Sequence, residues 1–304
     1  MIEFNIRRIL VPVDFNPASI NALDTAIAMA KKHDAAILLL NVVESGGLTA
    51  VDNVSREELN SIVQYSEQEL QSLQDSIIER FLVSCEALTT IGTVISSIIK
   101  VSVDYQADII VMGTHGASSF KDIFVGSNAY NVVKSSVCPV LTIPPEKKCE
   151  LFKKILFPVR PIPHALEKYD FVRKIIGKDD ATIKVLGLAT DYEKEVELLK
   201  DLASQLNERL KDDEMDASTY FKVGNNMAEE VLKIAALMAA DLIVITATTD
   251  SSSRQFFVGH YTQYIINHAH FPVLSIRPPG ESLQHEEAVL HHQESYTPEM
   301  QFYN

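Results

Sequence analysis

One loop carries the clearest chemistry in this chain of 304 residues: Gly113-Thr114-His115-Gly116, then nine residues, then Gly126-Ser127 opening a helix. Glycines let the backbone turn sharply and approach a phosphate with no Cβ in the way. A helix start presents unpaired N–H groups and a partial positive charge, which suits an anion. Ser127 either adds a hydroxyl donor to a phosphate oxygen or caps the helix. On spacing alone, phosphate cradle and ordinary glycine-rich loop are equally good readings.

The flanking elements decide where such a loop would sit. Ile9 to Val13 and Ala35 to Val43 are unbroken apolar runs, as parallel strands covered on both faces require. Between them Ile20, Leu23, Ile27 and Ala30 form one helical stripe, with Asn16 as N-cap and Pro17 in the first turn. A longer helix follows, with Leu59, Ile62, Val63, Leu70, Leu73, Ile77 and Phe81 on one side. Glu86 to Thr90 reads as a third strand, followed by a helix with Val94, Ile98, Ile99 and Val101. Asp108 to Met112 is a fourth strand, Asn128 to Lys134 a fourth helix, and Val137 to Ile143 a fifth strand. Alternating strands and helices predict an α/β, doubly wound parallel sheet. Such sheets bind ligands beyond the carboxyl ends of their strands, at the point where strand order reverses. The glycine loop follows the fourth strand and falls at that edge.

The pattern then repeats. Arg8-Ile9-Leu10-Val11-Pro12-Val13 recurs as Lys154-Ile155-Leu156-Phe157-Pro158-Val159, an offset of 146 (154 minus 8). Ala107 to Val111, Phe124-Val125-Gly126 and Pro139 to Ile143 recur as Ala240 to Val244, Phe257-Val258-Gly259 and Pro272 to Ile276, all at an offset of 133 (259 minus 126). One domain is therefore duplicated, and the second copy has lost 13 residues (146 minus 133) in its middle. Pro144-Pro145-Glu146-Lys147-Lys148 reads as the joint. The expected organisation is two five-stranded sheets: residues 1–146 with the intact motif, residues 151–279 as a degenerate copy, and an acidic, histidine-containing tail at 280–304.

Gly-x2-Gly-x9-Gly-Ser after a fourth strand resembles the ATP-binding loop of the universal stress protein family. Ile9-Leu10-Val11-Pro12-Val13-Asp14 is similar to that family's first strand and turn. Leu39-Leu40-Asn41-Val42-Val43 is similar to its second strand, and Cys138-Pro139-Val140-Leu141-Thr142-Ile143 to its last. The resemblance covers residues 5 to 145 and, more weakly, 152 to 279. It implies an adenine-nucleotide-alpha-hydrolase-like, Rossmann-like fold holding ATP, or AMP, with Mg2+ accompanying ATP. Pro12, Val13 and Asp14 would then hold adenine and ribose, Asp14 accepting from ribose hydroxyls, although a carboxylate there also suits a helix N-terminus. Main-chain groups at Val42 would read the adenine edge, and Met112 would pack near base or sugar. Gly113, Gly116, Gly126, Ser127 and Asn128 would cradle the phosphates. His115 reaches the outer phosphates or is a solvated loop residue, as is Lys121. The resemblance also implies a stress-response role, pairing of the two copies through their last strands within one chain, a homodimer and a protein partner.

The second copy departs from this pattern. Arg160 stands at the place of Asp14, Thr246 and Thr249 replace Gly113 and Gly116, and His260 replaces Ser127; only Gly259 survives. β-branched threonines do poorly at positive φ and obstruct close backbone approach. The second pocket is therefore expected to hold no ATP, leaving Arg160 and His260 for some other anion.

Composition sets the outer limits. With 46 % hydrophobic and 22 % charged residues the chain is globular. Its net charge of −14 argues against a nucleic-acid partner, which needs a basic face. No apolar run approaches membrane-spanning length and Met1 to Asn5 lacks a secretory pattern, so a cytoplasmic, non-membrane protein is expected. Cys85, Cys138 and Cys149 show no ligand spacing and read as reduced thiols. His285, His291 and His292 mark a polar tail, and the histidines of His268-Ala269-His270 serve a helix end rather than a metal. No Walker or kinase set is present, so the chain is read as a nucleotide-binding module and not an enzyme. The rivals are a slow ATPase or self-phosphorylating protein, for example at Ser118 or Ser119, and a ligand-free dimerisation scaffold.

Overall fold

In the computed structural model, residues 6–44, 56–114, 127–145, 152–176, 181–247 and 260–277 are described. The first half runs β1 (Arg8–Pro12), α1 (Pro17–His33), β2 (Ala36–Glu44), α2 (Arg56–Phe81), β3 (Cys85–Gly92), α3 (Val94–Asp104), β4 (Ile109–Gly113), α4 (Ser127–Ser135) and β5 (Val140–Ile143). The second half repeats it as β6 (Lys154–Val159), α5 (Lys168–Ile176), β7 (Thr182–Ala189), α6 (Glu193–Asp212), β8 (Asp216–Val223), α7 (Met227–Leu237), β9 (Leu242–Thr246), α8 (His260–His268) and β10 (Val273–Ile276).

The strands alternate their cores. Ile9, Val11, Ile37, Leu39, Ile109 and Val111 pack on one face with α1 and α2 residues such as Ala26 and Leu70. Leu10, Leu38, Leu40, Ile110 and Met112 pack on the other with Ile98, Val132 and Val133. This period-two alternation, with apolar residues on both faces, is why the strands read as continuous apolar runs. Within each half the pairing is parallel, in the order β3-β2-β1-β4-β5 and β10-β9-β6-β7-β8. The order reverses between β1 and β4, and again between β6 and β9.

The halves are not separate sheets. β10 pairs antiparallel with β5, Val273 opposite Thr142 and Leu274 opposite Leu141, so all ten strands form one sheet. The last strands of the two copies are thus edges that cover each other, as the repeat allows. Side chains reinforce the seam: Lys32 Nζ donates to the Ile175 and Ile176 carbonyls at the end of α5 (2.7 and 2.6 Å), and Arg277 donates to the Lys134 carbonyl near the end of α4. Each half therefore sends a cation to a helix C-terminus of the other, where orphan carbonyls and the dipole favour one.

The repeated Ala-Asp block has a local cause. Asp108 accepts from the Arg7 and Arg8 N–H groups at 2.7 and 2.8 Å, and Asp241 accepts from Lys153 and Lys154 at 3.2 and 3.0 Å. The missing residues of the second copy fall mainly at one place. Residues 45–55 join β2 to α2, whereas 190–192 suffice between β7 and α6, and α6 has 20 residues against 26 in α2. The extra length of α2 reaches past the core: Leu70 and Ile77 are buried, but Ile62 of the expected stripe is 45 % exposed. No helix among the described residues is long and apolar enough to cross a membrane.

Candidate functional site

At the carboxyl edge of the first half, β1 ends before β2 does. The Val13 N–H donates to the Leu40 carbonyl at 2.8 Å, and Ala36 donates to Arg7, so the even-numbered residues of β2 face β1. Ile37, which donates to Ser84, faces β3. By the same alternation Val42 directs its N–H and C=O toward the side that β1 has left. The sheet here presents a main-chain donor and acceptor at a strand end, next to the turn that carries Asp14.

That turn is held from several sides. Asn41 is buried in the middle of β2, and its amide donates to the Val13 carbonyl at 2.7 Å. Asn16 caps α1, accepting from Ser19 N–H at 2.8 Å, with Pro17 in the first turn. The Asn16 amide donates in turn to the Asp14 carboxylate at 2.8 Å. The Asp14 N–H donates to the Ser19 hydroxyl at 3.3 Å. Phe15 adopts φ 62°, a left-handed conformation that costs a bulky residue energy and persists only where its surroundings impose it. The outcome is an exposed Asp14 carboxylate fixed at the end of β1 rather than inside the first turn of α1.

Of the other expected residues, Pro12 closes β1 and Val13 is buried. Met112 is 5 % exposed and packs in the core with Ala129 and Val132 of α4, so its side chain belongs to the layer beneath the strand end. Gly113 closes β4, and a Cβ built on it would lie 2.8 Å from the Ala18 carbonyl oxygen. Its lack of a side chain is therefore required by the packing of α1, whatever else it does. Ser127 begins α4 and Asn128 is half-buried in its first turn. His115, Gly116, Gly126, Ser118, Ser119 and Lys121 lie outside the described residues, as do Thr249, Gly259, Cys149 and the tail.

The second half builds a different turn on the same strand end. Pro161 stands where Phe15 stands (15 plus 146), and its ring holds φ near −65°, so the left-handed turn is closed to it. The chain instead makes a tight turn, Ile162 N–H donating to the Arg160 carbonyl at 2.8 Å. Pro163 matches Pro17, yet α5 begins only at Lys168. Thr246 takes the place of Gly113, and its side chain is accommodated there, 5 % exposed. Arg160 lies over the Tyr261 ring, 3.9 Å from its centroid, and Tyr261 occupies the place of Asn128 (261 minus 133). Burial pushes the Tyr261 hydroxyl up to about 12, Arg160 opposing. The acceptor of the first half has become a stacked cation.

A sequence profile described as the universal stress protein family matches residues 5–144 and again 152–277. The chain belongs to the universal stress protein family. Among similar proteins, universal stress protein MJ0531 of Methanocaldococcus jannaschii is 30 % identical over 145 residues, which is 47 % of this chain and 84 % of that one. Universal stress protein YxiE of Bacillus subtilis is 27 % identical over 145 residues, 45 % of this chain and 97 % of that one. A universal stress protein structure from Archaeoglobus fulgidus matches both halves with a TM-score of 0.74 at 20 % identity, covering 90 % of this chain and 99 % of that one.

Within this universal stress protein, Asn41 and Phe15 at the Asp14 turn, Tyr261 under Arg160 and the buried Lys168 at the start of α5 were not singled out by sequence reasoning. Asn41 had a signal, a polar residue interrupting Leu38 to Val43, and Pro161 opposite Phe15 was a second. Lys168 and Tyr261 had none, since a lysine and a tyrosine at helix starts read as surface. Among the described residues no group of three or more potential metal ligands occurs. His268 donates from Nδ1 to the Tyr264 carbonyl at 2.8 Å, as expected of a histidine ending a helix. Burial, then Glu86, pushes the Cys85 thiol up to about 12, and burial raises Cys138, which suits inert thiols.

Proposed function

We propose that the first half of this universal stress protein binds one adenine nucleotide, ATP or AMP, beyond the carboxyl ends of β1, β2 and β4. The observation that carries this reading is the pairing of two features at one strand end: the Val42 main chain, turned toward the side β1 has left, and the outward Asp14 carboxylate. A main-chain donor and acceptor suit the edge of a flat heterocycle, and a carboxylate suits vicinal hydroxyls. Phosphates would then run toward Gly113 and the start of α4 at Ser127, whose N–H groups and dipole favour anions; Mg2+ would travel with the phosphates of ATP. The site is read as one that holds nucleotide and does not turn it over. Asp14 and Glu44, the last residue of β2, are acids at this edge, and the tie of Asp14 to Asn16 suits an orienting acceptor better than a base. Nucleotide occupancy would stiffen the Asp14 turn and the β4–α4 connection, offering a stress-response partner two surfaces that differ with ligand.

Calorimetric titration of the intact chain with ATP tests the reading. Asp14→Ala should weaken binding by about 1.5–3 kcal/mol, the range for hydrogen bonds to a charged group, while Arg160→Ala leaves ATP affinity nearly unchanged. Equal losses in both variants would sink the assignment.

A further inference from the structure

The second half gathers positive charge and unmatched donors at the strand end where the first half has a carboxylate. Lys168 is 3 % exposed, although it opens a helix. Its ammonium donates to the Pro158 carbonyl at the end of β6 and lies 4.6 Å from the Phe157 ring centroid. Among the described residues no carboxylate pairs with it. An ammonium carries three donors, and a buried cation without a counter-charge is costly. Burial first, and then repulsion from Arg160, hold the Lys168 pKa well below lysine's usual value.

Two hydroxyls complete the cluster. Thr246 Oγ1 and Tyr261 Oη are buried and have no hydrogen-bond partner. Leu156 pairs with Ile243, which brings Thr246 level with Val159, the residue before Arg160. Tyr261 sits in the first turn of α8 and carries the Arg160 guanidinium on its ring. Two cations and two unused hydroxyls thus lie about the carboxyl ends of β6 and β9, with Arg160 between Lys168, whose charge it opposes, and Tyr261, whose ring it covers. That donor set complements a compact anion, and at the place of Asp14 it offers a cation, Arg160, and no carboxylate.

We propose that this end of the second half is a binding site for a small phosphate-class oxyanion, free phosphate or the terminal group of a phosphomonoester, held by Lys168 and Arg160 with the Tyr261 and Thr246 hydroxyls donating. The two halves then read different molecules: a nucleotide through its sugar and base, and a phosphate through its charge. The anion supplies the counter-charge that Lys168 lacks, so its binding stabilises the start of α5, and Ile175 and Ile176 at the other end of that helix accept from Lys32 of the first half. Occupancy of one half is in this way mechanically connected to the other through α5.

The test is titration of the full chain with inorganic phosphate, methyl phosphate and acetate, followed by calorimetry. The expected result is saturable binding of inorganic phosphate, with affinity falling roughly tenfold or more in Lys168→Met and in Arg160→Gln, and about fivefold in Tyr261→Phe, as lost charged and neutral hydrogen bonds imply. Methyl phosphate binding as tightly as inorganic phosphate identifies a phosphomonoester as a ligand, and much weaker binding identifies free phosphate; acetate binding as tightly as either overturns the phosphate class. Phosphate binding that persists unchanged in Lys168→Met, or is absent from the parent chain, overturns the site. Tyr261→Phe keeps the ring under Arg160 and so remains informative if Lys168→Met misfolds. Loss of phosphate binding in Asp14→Ala alone would place the anion in the first half and overturn the proposal while leaving the nucleotide reading intact.

Discussion

Replacing Gly113 by alanine should damage the fold before it damages any ligand. A Cβ at this position would lie 2.8 Å from the Ala18 carbonyl oxygen, 2.9 Å from its carbon and 3.2 Å from its Cβ, where ordinary contact begins at 3.4 Å. The shortfall is about 0.6 Å (3.4 minus 2.8), and the opposing atoms are main chain in the first turn of α1, which cannot rotate away. Either α1 moves off the sheet or the end of β4 bends. Overpacking of this kind costs about 1–3 kcal/mol. At roughly 2–4 °C per kcal/mol for domains of 150–250 residues, the melting temperature should fall by about 2–12 °C. Because Asn16 caps the same turn of α1 and holds the Asp14 carboxylate, ATP affinity should fall with it. Thermal unfolding followed by far-UV circular dichroism, in phosphate-free buffer, reads the first effect. Thr246→Ala at the matching place of the second half is the control: a side chain is already accommodated there, and removing an unpartnered buried hydroxyl should leave stability nearly unchanged. A Gly113→Ala chain that melts with the parent would refute the packing argument and return the glycine to ligand binding alone.

Two further outcomes follow from named contacts. Asn16→Ala should cost about 1 kcal/mol of stability through the lost cap and should also weaken ATP binding, because the Asn16 amide orients Asp14; denaturant melts and ATP titration of the same variant check both. Lys168 gives the chain a pH signature. Its folded pKa lies below the unfolded value of about 10.4, so the cost of burying its charge is full below the folded pKa. The cost shrinks as pH rises toward the unfolded value, since the folded state sheds the proton first. Stability of the parent relative to Lys168→Met should therefore improve with pH across that window; a difference that stays flat, or reverses, would show that Lys168 is not a buried cation.

Much of the fold was legible because strand burial and helix amphipathicity leave period-two and helical patterns that survive in a single sequence. The apolar runs at Ile9–Val13 and Ala35–Val43, the cap at Asn16 and the duplicated Ala-Asp block all had structural causes. The joining of two five-stranded sheets into one was foreseen only as a pairing of last strands, since nothing in Pro139–Ile143 or Pro272–Ile276 states which edge meets which. The α2 stripe was overread at Ile62, because periodicity records which residues could share a face and not how far the core extends beneath them. At the site, Asp14 was found by its type and place, but what aims it, the left-handed Phe15 and the buried Asn41 amide, depends on three-dimensional register. Arg160 was recognised as a lost acceptor. Its partner was not, because Tyr261 is separated from it by 101 residues (261 minus 160) and only the pairing of β6 with β9 brings the two together.

The two halves differ most directly in how many adenine nucleotides one chain should hold, and where. Native mass spectrometry of the intact protein, titrated with ATP and repeated on Asp14→Ala, measures this directly. The predicted spectrum saturates at one tightly bound nucleotide per chain, and the nucleotide-bound peak fades in Asp14→Ala while persisting in Arg160→Ala. Two equivalents of tight binding, or a single equivalent lost with Arg160 and kept without Asp14, would contradict it.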